Sequence, residues 1–597
     1  MNTIRIKFLG AAIGFTSMLS VVADSNNNSA PFINLRPASR DTAGKIVGTT
    51  SHHTAIPEME ALYGTLSSRF KYSESLKSSG IAKAFLGSSI VTGTADDNQQ
   101  VIVSGSAVAG RASGDLLAEN FYLPRDFKST LTFKPKVQRF QVDFNFYMAF
   151  DEWVEGLYFR AFGPFVHSRH ELGFNEQVNK AGTAGYEAGF FDKTAITSGN
   201  LLSSFADYAA GTKTVTSSTV KANALQYAKI DNQKHSENEF ELRFEVGYNV
   251  LLDEDYHFGL NFQAAAPTSR KPHAVLLFEP TAGNGKHWEV GGGVTSHYTV
   301  WRSEDDEKRF DFVFEADFTH LLKARQTRTF DLKGKPLSRY ALAEKMMKNV
   351  DLGAGNATTK PNYQFAAEYA PVANITTLDV KTSVGVQADV VGMFNFTCRG
   401  WSLDLGYEFF GGSTETIHQD TDADDKLITF AANTWALKGL SSVYGFESTN
   451  TIALSATDSA ATVNSSKVTG TTNIGIDSAV AAYNATNSQA LNDKPSGTAI
   501  NTSSAPVLIA LTDIDFEGAE TKLQSHKIFT HVNYTWIDRE DWIPFIGIGA
   551  EVEFGRGSHH NDNDDNTSAT VTSNISSTVN GALSQWGVWL KGGLSFN

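Results

Sequence analysis

Residues 140–150 read FQVDFNFYMAF, and every second residue of this stretch is apolar. Strict alternation of this kind places the apolar and polar side chains on opposite faces of an extended strand. Phe144 and Phe146 therefore share one face, while Asp143 and Asn145 share the other. The stretch predicts a β-strand with one face in an apolar environment and the other in a polar one.

The same alternation recurs along the 597-residue chain, most regularly in residues 240–252 and 310–318. Weaker copies follow at 62–72, 157–165, 256–264, 288–300, 384–396, 401–409, 528–536, 546–554 and 586–596. Many of these segments run about 10 to 14 residues, which suits a tilted strand crossing a bilayer and exceeds the usual soluble strand. A soluble β-sandwich or β-helix is the alternative, and the strand lengths disfavour it.

The connections between these segments alternate between short and long. Short turns are predicted at 151–152, 253–255, 303–308, 399–400 and 538–541, and the long connections at 73–136, 167–238, 267–286, 323–382, 412–525 and 557–582. Outer-membrane barrels join their strands in this way, with short periplasmic turns and longer extracellular loops. We therefore predict an all-β fold, a closed antiparallel transmembrane β-barrel of about 12 strands.

The first residues predict export from the cytoplasm. Arg5 and Lys7 precede an apolar run at 8–22, and small residues lead to Ala23, as in a secretory signal peptide covering 1–23. Residues 24–58 show no periodicity and contain several prolines, so we expect a periplasmic N-terminal extension there. Residues 59–597 are assigned to the barrel and its loops.

Tryptophan positions suggest two aromatic girdles, because indole rings prefer the boundary between lipid and water. Five of the girdle candidates adjoin predicted short turns and two begin strands at the opposite end. The candidates are Trp153, Trp288, Trp301, Trp401, Trp536, Trp542 and Trp586.

The polar faces of the predicted strands carry more carboxylates than basic groups. Ionised side chains on the inward face avoid lipid, and an acidic excess there would concentrate cations. The predicted pore-lining residues are Asp143, Arg160, Glu241, Arg243, Glu245, Glu289, Asp311, Glu315, Asp317, Asp404, Glu408, Glu551 and Glu553. A lumen closed by paired charges is the alternative, since narrow barrels can be filled by side chains.

With these strands, turns and girdles, the chain resembles bacterial outer-membrane β-barrels of the porin-like kind. The last strand of such proteins typically ends in an aromatic residue that the barrel-assembly machinery recognises. Leu594, Ser595 and Phe596 are similar to that signal, although Asn597 follows the aromatic residue. The resemblance implies a location in the outer-membrane bilayer and assembly through the strand that ends at Phe596.

Other classes of function find little support in the sequence. A net charge of −15 argues against nucleic-acid binding, and Cys398 is the only cysteine, which excludes an intrachain disulfide. No G-x-S-x-G motif is present, and His257, His297 and His531 on the predicted lumen face are more often hydrogen-bonded filler than catalysts. We therefore expect no enzyme and no catalytic residues.

Two loop segments have a composition that could hold a metal ion. Asp420, Asp422 and Asp424 have the spacing that begins a calcium loop, but Asp425 and Ala431 occupy the positions that need glycine and glutamate. The other segment, around His559 and His560, equally resembles a polar loop tip. We expect no metal and no cofactor.

The apolar cluster at 116–127 has two interpretations: a constriction inside the lumen or the core of an external loop. For the whole chain, the predicted function is a porin-like passive diffusion channel for small hydrophilic solutes with a weak preference for cations. The alternative is a structural or surface-contact barrel whose long external loops bind a partner. The sequence does not indicate an oligomeric state.

Overall fold

The structure, a computed structural model, describes residues 29–49, 62–87, 99–187, 190–192, 194–348, 363–422, 424, 426–447, 450–457, 459, 461–464, 507–539, 542–555 and 579–596. The predicted signal peptide and the segment around His559 lie outside these ranges. Twelve long strands form the largest sheet. They are β1 (Tyr63–Ser75), β2 (Lys136–Ala149), β3 (Leu157–Glu171), β4 (Lys234–Phe240 with Arg243–Leu252), β5 (Tyr256–Ala265), β6 (Glu289–Arg302), β7 (Lys308–Thr329), β8 (Thr377–Cys398), β9 (Trp401–Gly412), β10 (Thr521–Thr535), β11 (Trp542–Gly555) and β12 (Gln585–Phe596).

Each of these strands pairs antiparallel with its neighbours in chain order, and β12 pairs with β1 to close the sheet. The prediction of a closed antiparallel barrel with about 12 strands is therefore confirmed. The ladder is interrupted once between β3 and β4, where Gly163 and Pro164 face Glu241 and Leu242. Proline has no backbone N–H to donate, so regular pairing stops at this point.

The outward face of the barrel is apolar. Phe144, Leu405 and Ile548 are each at least half exposed, at 50%, 56% and 62%, and their inward neighbours in the sequence are polar residues or glycine. Large apolar side chains exposed around a closed barrel are favourable only in contact with lipid. Among the helices of the described residues, none combines the length and the apolar character of a membrane span.

The long connections fold together at one end of the barrel. We call this layer the cap; it comprises the described parts of 76–135, 172–233, 266–288, 330–376, 413–520 and 579–584. One cap sheet has four strands: Gln99–Ser104, Leu116–Leu117, Lys128–Phe133 and Asn175–Lys180. A second cap sheet has five: Lys221–Ala222, Leu342–Lys348, Tyr363–Pro371, Trp435–Glu447 and Asn450–Thr457. Glu415–Gln419 pairs with β8 and Val579–Asn580 with β10.

Short helices complete the fold. They are α1 (Thr42–Gly48), α2 (Ser78–Leu86), α3 (Phe205–Ala209) and α4 (Ala373–Thr376), with 3₁₀ turns at Ala118–Phe121, Ser198–Asn200, Ser338–Tyr340, Leu511–Asp513 and Glu517–Ala519.

The cap has an apolar core of its own, contributed by several connections. Phe121 packs edge-on against Phe205, with ring centroids 4.9 Å apart, and also contacts Tyr208 at 5.0 Å. Tyr340 and Tyr369 belong to the same cluster. The apolar residues around 116–127 therefore form the core of the cap and not a constriction in the lumen. Several connections, including 76–135, 172–233 and 330–376, contribute apolar side chains to this one cluster.

Asp126 holds one segment of the cap in place. Its Oδ1 accepts hydrogen bonds from the backbone N–H groups of Thr183 and Ala184, both at 2.8 Å, and its Oδ2 lies 2.9 Å from Lys180 Nζ. Burial opposes ionisation of this carboxyl group, but the bonds from Ala184 and Lys180 outweigh it and lower the pKa of Asp126 to about 2. The lowered pKa means that ionised Asp126 stabilises the fold.

Asp126→Asn is expected to destabilise the cap at pH 7 by about 1.5–3 kcal/mol, the usual contribution of hydrogen bonds to a charged group. Because the folded pKa is depressed, the contribution is complete above about pH 4 and is lost as the pH falls toward 2. Urea unfolding followed by near-ultraviolet circular dichroism of wild type and variant would measure it. A difference that stays constant down to pH 2 would contradict this role.

Candidate functional site

Residues 29–49 form a segment that we call the plug: residues 29–35 lie in the cap, and residues 36–49 lie inside the barrel. Eighteen of its 21 residues are buried and the other three are half-buried. The sequence predicts a periplasmic extension at 24–58, whereas residues 36–49 of that segment lie in the lumen. Its two ends differ: Ile33 and Leu35 enter the apolar core of the cap, and α1 lies deeper in the barrel.

Arg36 and Arg40 of the plug pair with carboxylates of the barrel wall. The Arg36 guanidinium lies 2.9 Å from Glu408, 2.9 Å from Glu553 and 3.1 Å from Asp389. Arg40 lies 3.5 Å from Glu289. All of these side chains are buried, so their charges depend on one another for stabilisation.

Lys45 occupies the centre of a second group of carboxylates, formed by β4 and β7. Its Nζ lies 2.9 Å from Glu245 Oε2 and 2.7 Å from Asp317 Oδ2, and it also contacts Glu315. The three carboxylates converge closely enough to surround one cation. In the plugged barrel that cation is the ammonium group of Lys45.

Asp41 makes the opposite set of contacts. Its carboxylate lies 2.6 Å from Arg69, 2.6 Å from Lys527 and 3.2 Å from Lys71, all on the barrel wall. It also accepts a 3.0 Å hydrogen bond from Gly44 N and so caps the start of α1. The plug thus presents its charges in an order that matches acidic and basic regions of the wall.

Apolar contacts and close packing supplement the ion pairs. Ala43 and Val47 pack against Val391, Met393, Phe529 and Trp589, which point into an otherwise polar lumen. Gly44 lies so close to β1 that an added Cβ would come within 2.2 Å of the Arg69 guanidinium. The absence of a side chain at this position lets α1 approach the wall.

A cavity of about 910 Å³ lies between α1 and the short turns, and we call it the vestibule. Ile46, Val47 and Thr49 of the plug line its inner end, while Asp305, Arg399 and Asp538 from the short turns line its outer end. Lys591 closes the inner end by donating hydrogen bonds to the carbonyl oxygens of Val47 and Thr49, at 2.5 and 3.0 Å. On the orientation expected for short turns, the vestibule faces the periplasm.

The predicted pore-lining residues are all buried in the barrel interior: Asp143, Arg160, Glu241, Arg243, Glu245, Glu289, Asp311, Glu315, Asp317, Asp404, Glu408, Glu551 and Glu553. Only Arg160, Asp311, Glu315 and Asp404 among them line the vestibule. Most of the others contact the plug or charged side chains beside it, such as Arg69 and Lys71. Arg36, Arg40, Asp41 and Lys45 were missed because their segment has no strand periodicity.

The three histidines predicted on the lumen face all line the vestibule. His257 on β5 and His297 on β6 contact each other through their Nδ1 atoms. His531 Nδ1 lies 2.7 Å from Asp404 Oδ2, so this carboxylate fixes the orientation of the ring. The calcium-like triplet behaves differently, since Asp420, Asp422 and Asp424 of the cap form ion pairs with Arg325 of β7.

Tryptophans mark both ends of the barrel. Trp153, Trp301, Trp401, Trp536 and Trp542 adjoin the short turns and are 41–69% exposed. Trp288 is 54% exposed and Trp586 is half-buried, both at the cap end. Trp589 points inward and packs on the plug instead.

No protein-family model matches the chain, and neither does any curated protein. Among solved structures, the COG4313 outer membrane channel from Pseudomonas putida F1 aligns with 92% of this chain and 99% of its own, at 8% identity and a TM-score of 0.29. The transport unit of the autotransporter AIDA-I from Escherichia coli covers 94% and 99%, at 6% identity and a TM-score of 0.28. A Pseudomonas aeruginosa FadL homologue covers 96% and 99%, at 6% identity and a TM-score of 0.24.

Structural similarity at these TM-scores does not indicate a substrate or a mechanism for this chain. The closed barrel, its apolar outer face and its charged interior are features of the chain itself. They define a bacterial outer-membrane β-barrel protein, and the predicted location in the outer-membrane bilayer is confirmed.

Proposed function

We propose that this barrel is a gated outer-membrane channel, in which displacement of the plug opens a path for small hydrophilic solutes. The observation that carries the proposal is the network of ion pairs between residues 36–49 and the wall. Charged groups can exchange a protein partner for water and counterions more readily than an apolar core can be exposed to water. The vestibule already provides solvent-accessible space on the side of the plug that faces the short turns.

The preference for cations is part of the same proposal and would belong to the open state. Withdrawal of Arg36, Arg40 and Lys45 would leave their wall carboxylates without these partners. An acidic wall raises the local concentration of cations. The plugged state would conduct little, and the proposal includes no catalytic step.

The double variant Arg36→Ala/Lys45→Ala tests the channel function in planar lipid bilayers. Wild type is expected to be closed for most of a recording, while the variant opens in frequent conductance steps. Under a potassium chloride gradient, the reversal potential of the variant should indicate a preference for K⁺. Lys136→Ala is the matched control, because Lys136 pairs with Glu74 at 2.8 Å outside the plug network.

Two results would count against gating: wild type conducting as steadily as the variant, or a variant that stays closed although trypsin cleaves its plug. Should the double variant fail to fold, Gly44→Val offers a second route that leaves every charge in place. Its added side chain would meet Arg69 and push α1 from the wall. The same opening is expected.

The cap favours a second candidate function, a surface-contact barrel that binds an external partner. Its connections share a large apolar core at the end of the barrel away from the short turns, which would give an external partner an ordered surface. Folded barrels that lack conductance in every plug variant, yet bind a partner through the cap, would support this candidate over the channel.

We also propose that β12 is the segment that the barrel-assembly machinery engages. Phe596 is its last residue, lies opposite Gly64 of β1, and contacts the Trp542 ring at 6.0 Å between centroids. Substitution of Phe596 should slow insertion in cells more than refolding of the purified chain into vesicles.

A further inference from the structure

Two histidines form a cross-strand pair on the wall of the vestibule. His257 of β5 lies directly opposite His297 of β6 in the register of the sheet. Their ring centroids are 4.6 Å apart, and the two Nδ1 atoms face each other in direct contact. Both side chains line the cavity and are only partly buried.

The geometry of this pair suits a metal ion. Directly opposed residues on antiparallel strands hold their Cβ atoms about 4.5–5.5 Å apart, which lets two imidazole nitrogens reach one ion. Neutral imidazole is a preferred ligand of Zn²⁺, Cu²⁺ and Ni²⁺. Without a metal, one ring can donate its Nδ1 proton to the Nδ1 of the other; when that proton moves to Nε2 of its own ring, both neutral rings present an Nδ1 lone pair to an ion.

The charges around the pair do not oppose a cation strongly. Arg160 is neutralised by Glu315, 3.0 Å away, and Arg309 by Asp311, 2.6 Å away. Asp311 is held further by Thr299 Oγ1 at 2.8 Å, so its carboxylate is fixed on the wall. The side of the pair that faces the vestibule leaves coordination positions for water or for a donor group on a solute.

We infer that His257 and His297 form a binding site for a first-row transition-metal ion, reached from the short-turn end of the barrel. Among the described residues, no ion pair joins either histidine to the plug, so the proposed metal site does not depend on the proposed gating. It provides a single ion with two protein nitrogens and an open side toward the vestibule.

Calorimetric titration of the purified barrel with Cu²⁺ alone tests the site. The protein should carry no polyhistidine tag, and His52, His53, His235, His559 and His560 should be alanine in the parent, because adjacent histidines, or the opposed pair His170 and His235, can bind copper themselves. One ion per barrel is expected. Electron paramagnetic resonance of the complex should show coupling to two nitrogens.

His257→Ala and His297→Ala should each weaken binding by at least about 10- to 100-fold, the cost of removing even an outer partner of a metal site. His320→Ala, a change at a lone exposed histidine on β7, should leave the affinity unchanged. Heat-dependent mobility on electrophoresis would verify that each variant is folded. Unchanged copper binding in the folded His257→Ala/His297→Ala variant, or no binding by the parent, would overturn the assignment.

Discussion

Ile548→Arg is expected to destabilise the folded barrel in lipid vesicles by about 2–4 kcal/mol, the cost of an arginine facing lipid near the bilayer centre. Ile548 lies in the middle of β11, is 62% exposed, and has the outward residues Leu590 and Val532 as cross-strand neighbours. Most of its side chain is therefore left uncovered by the part of the protein that the structure describes. Urea titration of folding into vesicles would measure the loss.

Val178→Arg is the matched control, because Val178 is also an exposed apolar residue on a strand, at 42%, but belongs to the cap. It should change stability by less than about 0.5 kcal/mol, as surface substitutions usually do. Equal effects of the two substitutions would mean that the outward face of the barrel does not contact lipid.

The same physical constraint made the strands predictable from sequence. Lipid on one side and a polar interior on the other force alternation within each strand, so the signal is local. All twelve predicted segments overlap a barrel strand. The sequence pattern no longer marks the strands where they extend beyond the lipid. β7 extends to Thr329 and β8 begins at Thr377, outside the predicted segments 310–318 and 384–396. Those extensions contact the cap, so their apolar side chains, such as Leu378 and Val380, pack against protein and form no row that faces lipid.

The plug could not be predicted in the same way, because its position depends on contacts distant in sequence. Lys45 pairs with Glu245 and Asp317, which lie 200 and 272 residues further along the chain. Two signals were nevertheless present. The wall carried an acidic excess that needed basic partners, and Phe529 and Trp589 placed large rings on inward positions that water alone would not favour.

The plug also changes what the charge of the lumen indicates about function. A count of wall residues alone predicted a cation-preferring diffusion pore, but it left out Arg36, Arg40 and Lys45 inside the lumen. The acidic wall is thus partly neutralised by the plug. The charge of the wall therefore indicates first how the plug is held. It indicates which ions pass only for a lumen from which the plug has been displaced.

Asp41→Ala is expected to cost about 3–5 kcal/mol of plug binding, as loss of one partner from a buried ion pair usually does. Arg69, Lys71 and Lys527 all contact this carboxylate, and each is at least 90% buried. In the variant, Arg69 would still pair with Asp143 and Lys527 with Glu408. The loss of plug-binding free energy should therefore lie near the lower end of this range. Release of the plug should expose Arg40 and Lys45 to trypsin. The rate of cleavage at these residues would measure how much of the protein has released its plug.

Asp41→Asn separates the two roles of this residue. Asparagine caps a helix about as well as aspartate, whereas alanine loses about 1 kcal/mol at that position. The asparagine variant should therefore retain the start of α1 and lose only the charge. Trypsin should cleave it nearly as fast as the alanine variant, because the ion pairs with the three cations contribute more to plug binding than the capping hydrogen bond of α1 does. Cleavage of Asp41→Asn at the wild-type rate would show that the plug is held by packing and helix capping, and the gating proposal would lose its electrostatic basis.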